Sequence, residues 1–443
     1  MLFGTDGVRG LANTELSAEL ALELGRAAVR VLREEGVARP VVVVGRDPRA
    51  SGEMLEAALV AGITSAGGDV AAFGVVPTPA VAYLTSTGRA SAGAMISASH
   101  NPMPDNGIKL FGADGYKLTD DEEHRIAELV GSPLPSPPVG ADIGRASAHP
   151  ELVDAYVDHL AGTVGADLSG LRVVVDCANG AASTIAVDLL RRLGCDVTPL
   201  SAQPDGLNIN DGCGSTFPEV VAAEVARAGA DVGLAFDGDA DRLIAADAGG
   251  DVVDGDVILA ILAEERRRSR GLDTVVTTVM TNLGFKLAMA EAGIGVIETK
   301  VGDRYVLEAM LAGNHPLGGE QSGHVIFTEH ATTGDGVLTA LQLLSVVATS
   351  GRPLHDLAPV MRRLPQRLIN VRDVDRAALA GADVVWKAVA DEEAALGDEG
   401  RVLVRASGTE PLVRVMVEAS TAERADACAQ RLAGVVAEQL RRR

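Results

Sequence analysis

Three aspartates stand at alternating positions in AFDGDADR: Asp237, Asp239 and Asp241. In an extended loop this spacing turns three carboxylates to one side, where they repel unless a cation sits among them. Oxygen ligands alone suit Mg2+ or Mn2+. A calcium EF-hand does not fit, because its sixth position would be Arg242 where glycine is needed, and its twelfth Ala248 where glutamate is needed. The apolar runs DVGLAF and LIAAD bracket the loop and argue against a solvated acidic turn. Arg242, next to the cation, is suited to hold a phosphate oxygen.

Three other loops carry candidate chemistry. In ISASHNP, Ser97 and Ser99 share one face of an extended chain, His100 follows, and Pro102 enforces a turn. A serine at a strand end beside histidine can be a nucleophile or a phosphate carrier. Taken alone, the stretch reads more simply as a polar turn, and it leaves the choice between the two serines open. No G-x-S-x-G elbow surrounds it, which disfavours a hydrolase. GGEQSGH offers Glu320, Ser322 and His324, partners for sugar hydroxyls, and TKVGDRYV puts Gly302 and Asp303 at a helix start. RASGTEPLVR collects Arg405, Ser407, Gly408, Thr409 and Arg414: two guanidinium forks, two hydroxyls and free backbone N–H groups, the makings of a phosphate nest. The opening FGTDGVRG, with Arg9, lacks G-x-G-x-x-G and so gives no dinucleotide site. Arg46 and Arg49 in GRDPRASG read as structural pairing around Asp47.

The chain has 443 residues and a formal net charge of −22. That acidity argues against nucleic acid as a partner and requires a locally basic site for any anionic substrate. No apolar run is long enough to suggest a membrane span, and the N-terminus lacks the shape of a signal peptide. Cys177, Cys195, Cys213 and Cys428 form no C-x-x-C pair, so reduced thiols in the cytoplasm are the expectation.

The elements that must position these loops alternate between strand and helix. VVVVG, DVAAFGV and SAGAMIS, then LRVVVD, CDVTPL and DVGLAF, then DTVVTTV and GIGVIET read as strands with helices between them. The Pro-rich stretch 131–150 reads as a linker. Beyond about residue 365, QRLINVRD, RVLVRAS and LVRVMVEAS suggest antiparallel strands before a terminal helix. The expectation is three related α/β domains with mixed, mostly parallel sheets, plus a smaller C-terminal α+β domain, around a central cleft. Residues 1–150 would carry the serine loop, 151–250 the metal loop, 251–365 the sugar loop and 366–443 the phosphate loop.

The order SASHNP, DGDADR, GEQSGH, RASGTEP resembles the α-D-phosphohexomutase superfamily over nearly the whole chain. FGTDGVRG, TKVGDRYV and the glutamine of GEQSGH are similar to its phosphoglucosamine mutase branch. Pro48 departs from the threonine common at that place, outside the four loops. The resemblance implies a phosphoserine at Ser99, with Mg2+ bound by it and the three aspartates. It implies interconversion of glucosamine 6-phosphate and glucosamine 1-phosphate through glucosamine 1,6-bisphosphate, feeding UDP-N-acetylglucosamine and cell-wall synthesis. It assigns Lys109 and Arg9 as acid/base candidates and His100 to a supporting place. Arg242, Gly302, Asp303, Glu320, Ser322 and His324 would meet the sugar, and the 405–414 loop its non-reacting phosphate. It also implies a homodimer. Rival readings are phosphomannomutase/phosphoglucomutase, an aspartyl-phosphate phosphatase using Asp237, and a sugar-phosphate sensor without activity.

Overall fold

A computed structural model describes residues 2–4, 6–88, 90–407 and 412–441, so Gly408 and Thr409 of the expected phosphate loop lie outside the described residues. The expected mixed α/β architecture is present. Val8–Leu11, Asp105–Gly112, Ala92–Ile96, Val41–Arg46, Asp69–Val75 and Ala146–Ala148 form a six-stranded sheet in that spatial order. Its central pairs are parallel, and Asp105–Gly112 runs antiparallel to both neighbours. A five-stranded sheet centres on Arg172–Asp176 and Val232–Phe236, and a four-stranded one on Thr274–Thr278. These sheets lie in one compact unit, Met1–Met280 with Gly293–Val360. No single helix among the described residues is long and apolar enough to cross a membrane.

The stretch 131–150 does more than link. Ala146–Ala148 pairs in parallel with Asp69–Val75 and becomes an edge strand of the first sheet. The prolines end at Pro138 and resume only at Pro150. The backbone between them is free to pair, and Arg145 O accepts Val70 N–H while His149 N–H reaches Ala72 O.

Strand parity sets how closely helices approach the first sheet. Val42 and Val44 face a core shared with Leu24 of helix Ala18–Glu34 and with Leu55 and Leu59 of helix Ala50–Ser65. The opposite face carries Gly45 and Gly93. A Cβ on Gly45 would lie 2.6 Å from Val81, and one on Gly93 2.3 Å from Thr85 Oγ1. These two gaps admit helix Thr78–Thr87 at close range. The same approach brings Thr78, at that helix's start, to the metal loop: Thr78 N–H donates to Asp239 O (3.0 Å) and Thr78 Oγ1 to Asp239 Oδ2 (2.6 Å).

The second compact unit comprises Thr281–Ala292 and Met361–Arg443. Gln366–Arg372, Leu412–Glu418 and Arg401–Ala406 make an antiparallel sheet with the last-named pair adjacent. Helices Asp383–Leu396 and Ala422–Gln439 supply Val385, Cys428 and Leu432 to a core with Val413, Val415 and Val417. Fully buried Glu418 anchors helix Leu283–Glu291 by accepting Leu283 N–H (2.8 Å), and it pairs with Arg401 Nε at 2.7 Å.

Gly93→Ala is expected to cost about 1–3 kcal/mol, because the new methyl must push helix Thr78–Thr87 off the sheet. Urea unfolding followed by circular dichroism measures it; a stability equal to wild type would mean the helix yields freely there.

Candidate active site

The strand Ala92–Ile96 ends in a turn with an uncommon backbone. Ser99 has φ 52°, a left-handed conformation that a non-glycine residue adopts only when its surroundings impose it. The imposing group is Arg49, whose side chain is wholly buried. Its guanidinium donates to the carbonyls of Ser99 (3.0 Å), Asn101 (2.8 Å), Pro102 (2.6 Å) and Asp105 (3.1 Å). Its Nε meets Asp47 Oδ2 at 2.9 Å. Asn210 adds a second grip, donating to the carbonyls of Ser99 and Asn101 at 2.9 and 3.1 Å.

The two serines have different partners. Ser97 Oγ donates to Asp47 Oδ2 (2.6 Å) and accepts Ser99 N–H (2.9 Å), so its hydroxyl is spent on the turn. Ser99 Oγ instead donates to Asp237 Oδ2 at 2.5 Å, and His100 Nδ1 lies 3.2 Å from it. Burial, with the nearby Arg242 and Arg9 charges, brings the His100 imidazole down to about 4, so it is neutral at ordinary pH.

Asp237, Asp239 and Asp241 occupy the connection between antiparallel strands Val232–Phe236 and Leu243–Asp247. All three are buried, and one oxygen from each lies within 4.8 Å of the others. Gly238 between them abuts the serine turn: a Cβ there would lie 2.6 Å from Ser99 O. Burial and the charges of Asp241 and Asp239 push the Asp237 carboxyl far above its ordinary range. Burial also opposes ionisation of Asp241, but Lys109, His324 and Arg242 outweigh it and hold that carboxyl well below its ordinary range.

The donor set fits a cation. Asp239 Oδ2 takes Lys109 Nζ (2.8 Å) and Thr78, while Asp239 Oδ1 is buried without a hydrogen bond. Asp241 Oδ2 faces Lys109 Nζ at 3.6 Å and His324 Nδ1 at 3.7 Å, while its Oδ1 also lacks a hydrogen bond. Asp239 and Asp241 thus each keep one oxygen without a hydrogen bond, whereas both oxygens of Asp237 accept from protein, Oδ2 from Ser99 and Oδ1 from Arg242 N–H. A buried carboxylate oxygen without a donor costs ~1–3 kcal/mol or more, which a hard cation relieves. Lys109 is fully buried. Burial opposes its charge, but Asp239, Asp6 and Asp241 together raise it well above the ordinary lysine value.

The sugar-loop candidates gather against the same centre. Glu320 Oε1 accepts Gly302 N–H at 3.1 Å. His324 Nε2 accepts Gly334 N–H at 3.1 Å and lies 3.6 Å from Asp303 Oδ2, which leaves the proton on Nδ1 toward Asp241. Ser322 Oγ is buried without a partner. Arg9 pairs with Asp6, and Arg242 Nε is 3.7 Å from Asp241 Oδ1.

Arg405, Ser407 and Arg414 belong to the second unit and form their own group. Arg405 and Arg414 stand directly opposite each other on antiparallel strands. Burial and the Arg414 charge lower the basicity of Arg405. Two cations in register repel, and an anion between them removes the repulsion. Ser407 N–H bonds Leu412 O, and Arg376 donates to Ser407 O at 2.6 Å.

Several residues with a part in this geometry carry no signal in the sequence. Thr78, Asn210 and Lys117 meet partners 111 to 186 residues away, and Asp6, in the opening glycine loop, meets Lys117 across 111 residues. Arg49 does pair with Asp47 as expected, but its hold on four carbonyls of the serine turn is visible only in three dimensions.

Four segments match the phosphoglucomutase/phosphomannomutase family in order: alpha/beta/alpha domain I over residues 1–133, domain II over 154–250, domain III over 254–364 and the C-terminal domain over 368–435. A phosphoglucosamine mutase from Acidothermus cellulolyticus is 59% identical over 444 residues, covering 99% of this chain and 96% of its own. One from Frankia casuarinae is also 59% identical, covering 98% of both. A crystal structure of a phosphoglucomutase/phosphomannomutase family protein from Burkholderia thailandensis superposes with a TM-score of 0.85 at 26% identity, covering 99% and 97% of the two chains. The fold is shared with Aspergillus fumigatus N-acetylphosphoglucosamine mutase, solved with GlcNAc-6P and magnesium, at a TM-score of 0.68, 18% identity and 99% and 96% coverage. The chain therefore belongs to the phosphoglucomutase/phosphomannomutase family and stands within it among the phosphoglucosamine mutases.

Proposed function

We propose that this protein interconverts glucosamine 6-phosphate and glucosamine 1-phosphate, with Ser99 carrying the phosphoryl group between the two oxygens. The observation that carries the reading is the 2.5 Å hydrogen bond from Ser99 Oγ to Asp237, at one corner of three buried carboxylates. The full-length likeness to phosphoglucosamine mutases supports the choice of sugar.

In the forward direction O1 of glucosamine 6-phosphate attacks the phosphorus on Ser99. The Oγ–P bond breaks as O1–P forms, giving glucosamine 1,6-bisphosphate. After reorientation Ser99 Oγ attacks the 6-phosphate, O6–P breaks, and glucosamine 1-phosphate leaves. The proton lost from O1 in the first transfer is balanced by the proton gained at O6 in the second. Asp237, Asp239 and Asp241, with a phosphate oxygen on Ser99, would hold Mg2+, which supplies positive charge to a phosphoryl group in transit. Arg49 and Asn210 keep the serine turn in place through both transfers. Lys109, held as an ammonium by its three carboxylates, is suited to supply fixed positive charge to the phosphoryl group in transit, and Arg9 adds more beside it.

Glu320 and Ser322 would bind ring hydroxyls, with Gly302, Asp303 and His324 shaping the same wall; the partnerless Ser322 hydroxyl supports this. Arg242 would meet the reacting phosphate. Arg405, Ser407 and Arg414, with Gly408 and Thr409, would hold the phosphate that is not reacting, and the like charges of Arg405 and Arg414 favour an anion there. The likeness also implies a cytoplasmic homodimer, whose mass light scattering would measure.

Intact-mass and peptide mapping should locate phosphate on Ser99, and Ser99→Ala should reduce mutase activity to background; full activity in that variant would falsify the phosphoserine route. kcat/KM should be higher for glucosamine 6-phosphate than for mannose 6-phosphate or glucose 6-phosphate. The reverse order would assign the protein to the phosphomannomutase/phosphoglucomutase activities.

Chelation with EDTA should abolish turnover and added Mg2+ should restore it. Mg2+ should raise the melting temperature of the wild type but not of Asp239→Asn, since a ligand stabilises only the state that binds it.

His100→Asn should leave the shape of the kcat/KM pH profile unchanged between about pH 5 and about pH 8, because the imidazole titrates near 4 and is already neutral across that window. An acid limb that vanishes in the variant would mean that His100 carries a working proton.

A further inference from the structure

Helix Asp303–Gly313 lies across a cavity of about 810 Å³ from helices Ala18–Glu34 and Asp120–Leu129. Ala28, Leu32 and Ile126 line one side, Leu307 and Leu311 the other. With open volume between them, these apolar side chains do not interlock, so packing cannot fix the helix at this seam. Polar contacts cross it instead. Lys117, on the layer of the six-stranded sheet, bonds Asp303 at the helix start and Asp6 beside Arg9. Arg304 reaches back to Asp120, to Glu123 Oε1 (2.9 Å) and to Leu118 O (3.1 Å). Thr332 Oγ1 adds one hydrogen bond to Gly115 O at 2.7 Å.

The two cations grip the residues that begin the sugar wall. Gly302 N–H is fixed to Glu320, and Asp303 faces His324. Lys117 is 9% exposed, so its bonds to Asp6 and Asp303 are little screened by solvent. Arg304 is 13% exposed and continues the same tether one residue later.

We propose that Lys117 and Arg304 are positioning residues: two ion bridges across an unpacked seam set the Gly302–Asp303 turn, and with it Glu320 and His324, at the working distance from Ser99. The inference rests on the sugar-phosphate reading above and adds residues that touch neither the metal carboxylates nor Ser99. Loss of a bridge misplaces the sugar wall while the serine and its carboxylates stay intact.

The experiment compares wild type, Lys117→Met, Lys117→Arg and Arg304→Met, all with melting temperatures recorded. Two rates are measured: turnover of glucosamine 6-phosphate, and sugar-free hydrolysis of phosphorylated Ser99 followed by intact mass. Lys117→Met should lose on the order of a hundredfold in kcat/KM, with a clear rise in KM, and Arg304→Met about tenfold. Phosphoserine hydrolysis should stay within about twofold of wild type, and Lys117→Arg should recover most of the sugar kinetics.

Unchanged KM and kcat/KM in both variants overturns the proposal. So does an equal loss of phosphoserine hydrolysis, which would put Lys117 in the reacting centre through Asp6 and Lys109. Should Lys117→Met fail to fold, Arg304→Met decides by the same two rates. A wild type inactive on glucosamine 6-phosphate would count against the sugar assignment alone, and the variants would then be compared on the hexose phosphate it does turn over.

Discussion

Repulsion among three buried carboxylates is the constraint around which the active centre is organised. Two unit charges about 4 Å apart interact by ~4 kcal/mol at the effective dielectric of a protein site, and Asp237, Asp239 and Asp241 present three such pairs. Every layer of the first unit answers this. The six-stranded sheet sends Lys109 and the start of helix Thr78–Thr87, and the four-stranded sheet sends His324. Those partners take one oxygen of Asp239 and one of Asp241 and leave the other without a donor. Balancing charge and leaving room for a cation are met by the same side chains.

The counter-charges continue outward as a closed ring. Asp241 faces Lys109, Lys109 faces Asp6, Asp6 meets Lys117, Lys117 meets Asp303, and Asp303 faces His324, which returns to Asp241. From Asp241 through Lys109, Asp6 and Lys117 to Asp303 the signs alternate, so each buried lysine has two opposite neighbours, which offsets desolvation better than isolated pairs would, and His324 closes the circuit with Nδ1–H toward Asp241. The ring also spans three separate sheets: Lys109 answers the metal carboxylates directly, while Lys117, which pairs with Asp6 and Asp303, joins the outer layers.

The serine turn uses a different device. A left-handed serine and four converging carbonyls are each unfavourable alone, and one buried guanidinium answers both. Arg49 is suited to this because its five N–H donors lie in one rigid plane, whereas lysine offers a single point charge. Asp47 neutralises the guanidinium and also orients Ser97, whose hydroxyl receives the Ser99 N–H. Ser99 Oγ is therefore aimed at Asp237 by groups that never touch it. In the second unit, Arg405 opposite Arg414 stores the converse imbalance, a local excess of positive charge in an acidic chain.

The sequence by itself determined the four loops, their order and the strands that precede them, because alternating apolar runs and glycine-rich turns are local signals. Asp237, Asp239 and Asp241 were legible as a group from their spacing, but a turn over 238–240 with Ala240 at φ 56°, and not the expected extended loop, brings their oxygens together. The family resemblance already pointed to Ser99, and the tertiary structure supplied the physical reason, since Ser97 and Ser99 differ only in partners that arrive from residues 47, 49, 210 and 237. The tertiary structure alone decided that Pro-rich 131–150 closes a sheet edge, because an edge strand is defined by its neighbour. It also decided the parts of Thr78, Asn210 and Lys117, whose side chains become informative only when distant segments bury them against one another. Charge and hydrogen-bond complementarity at long range depends on burial, and burial is a property of the assembled layers.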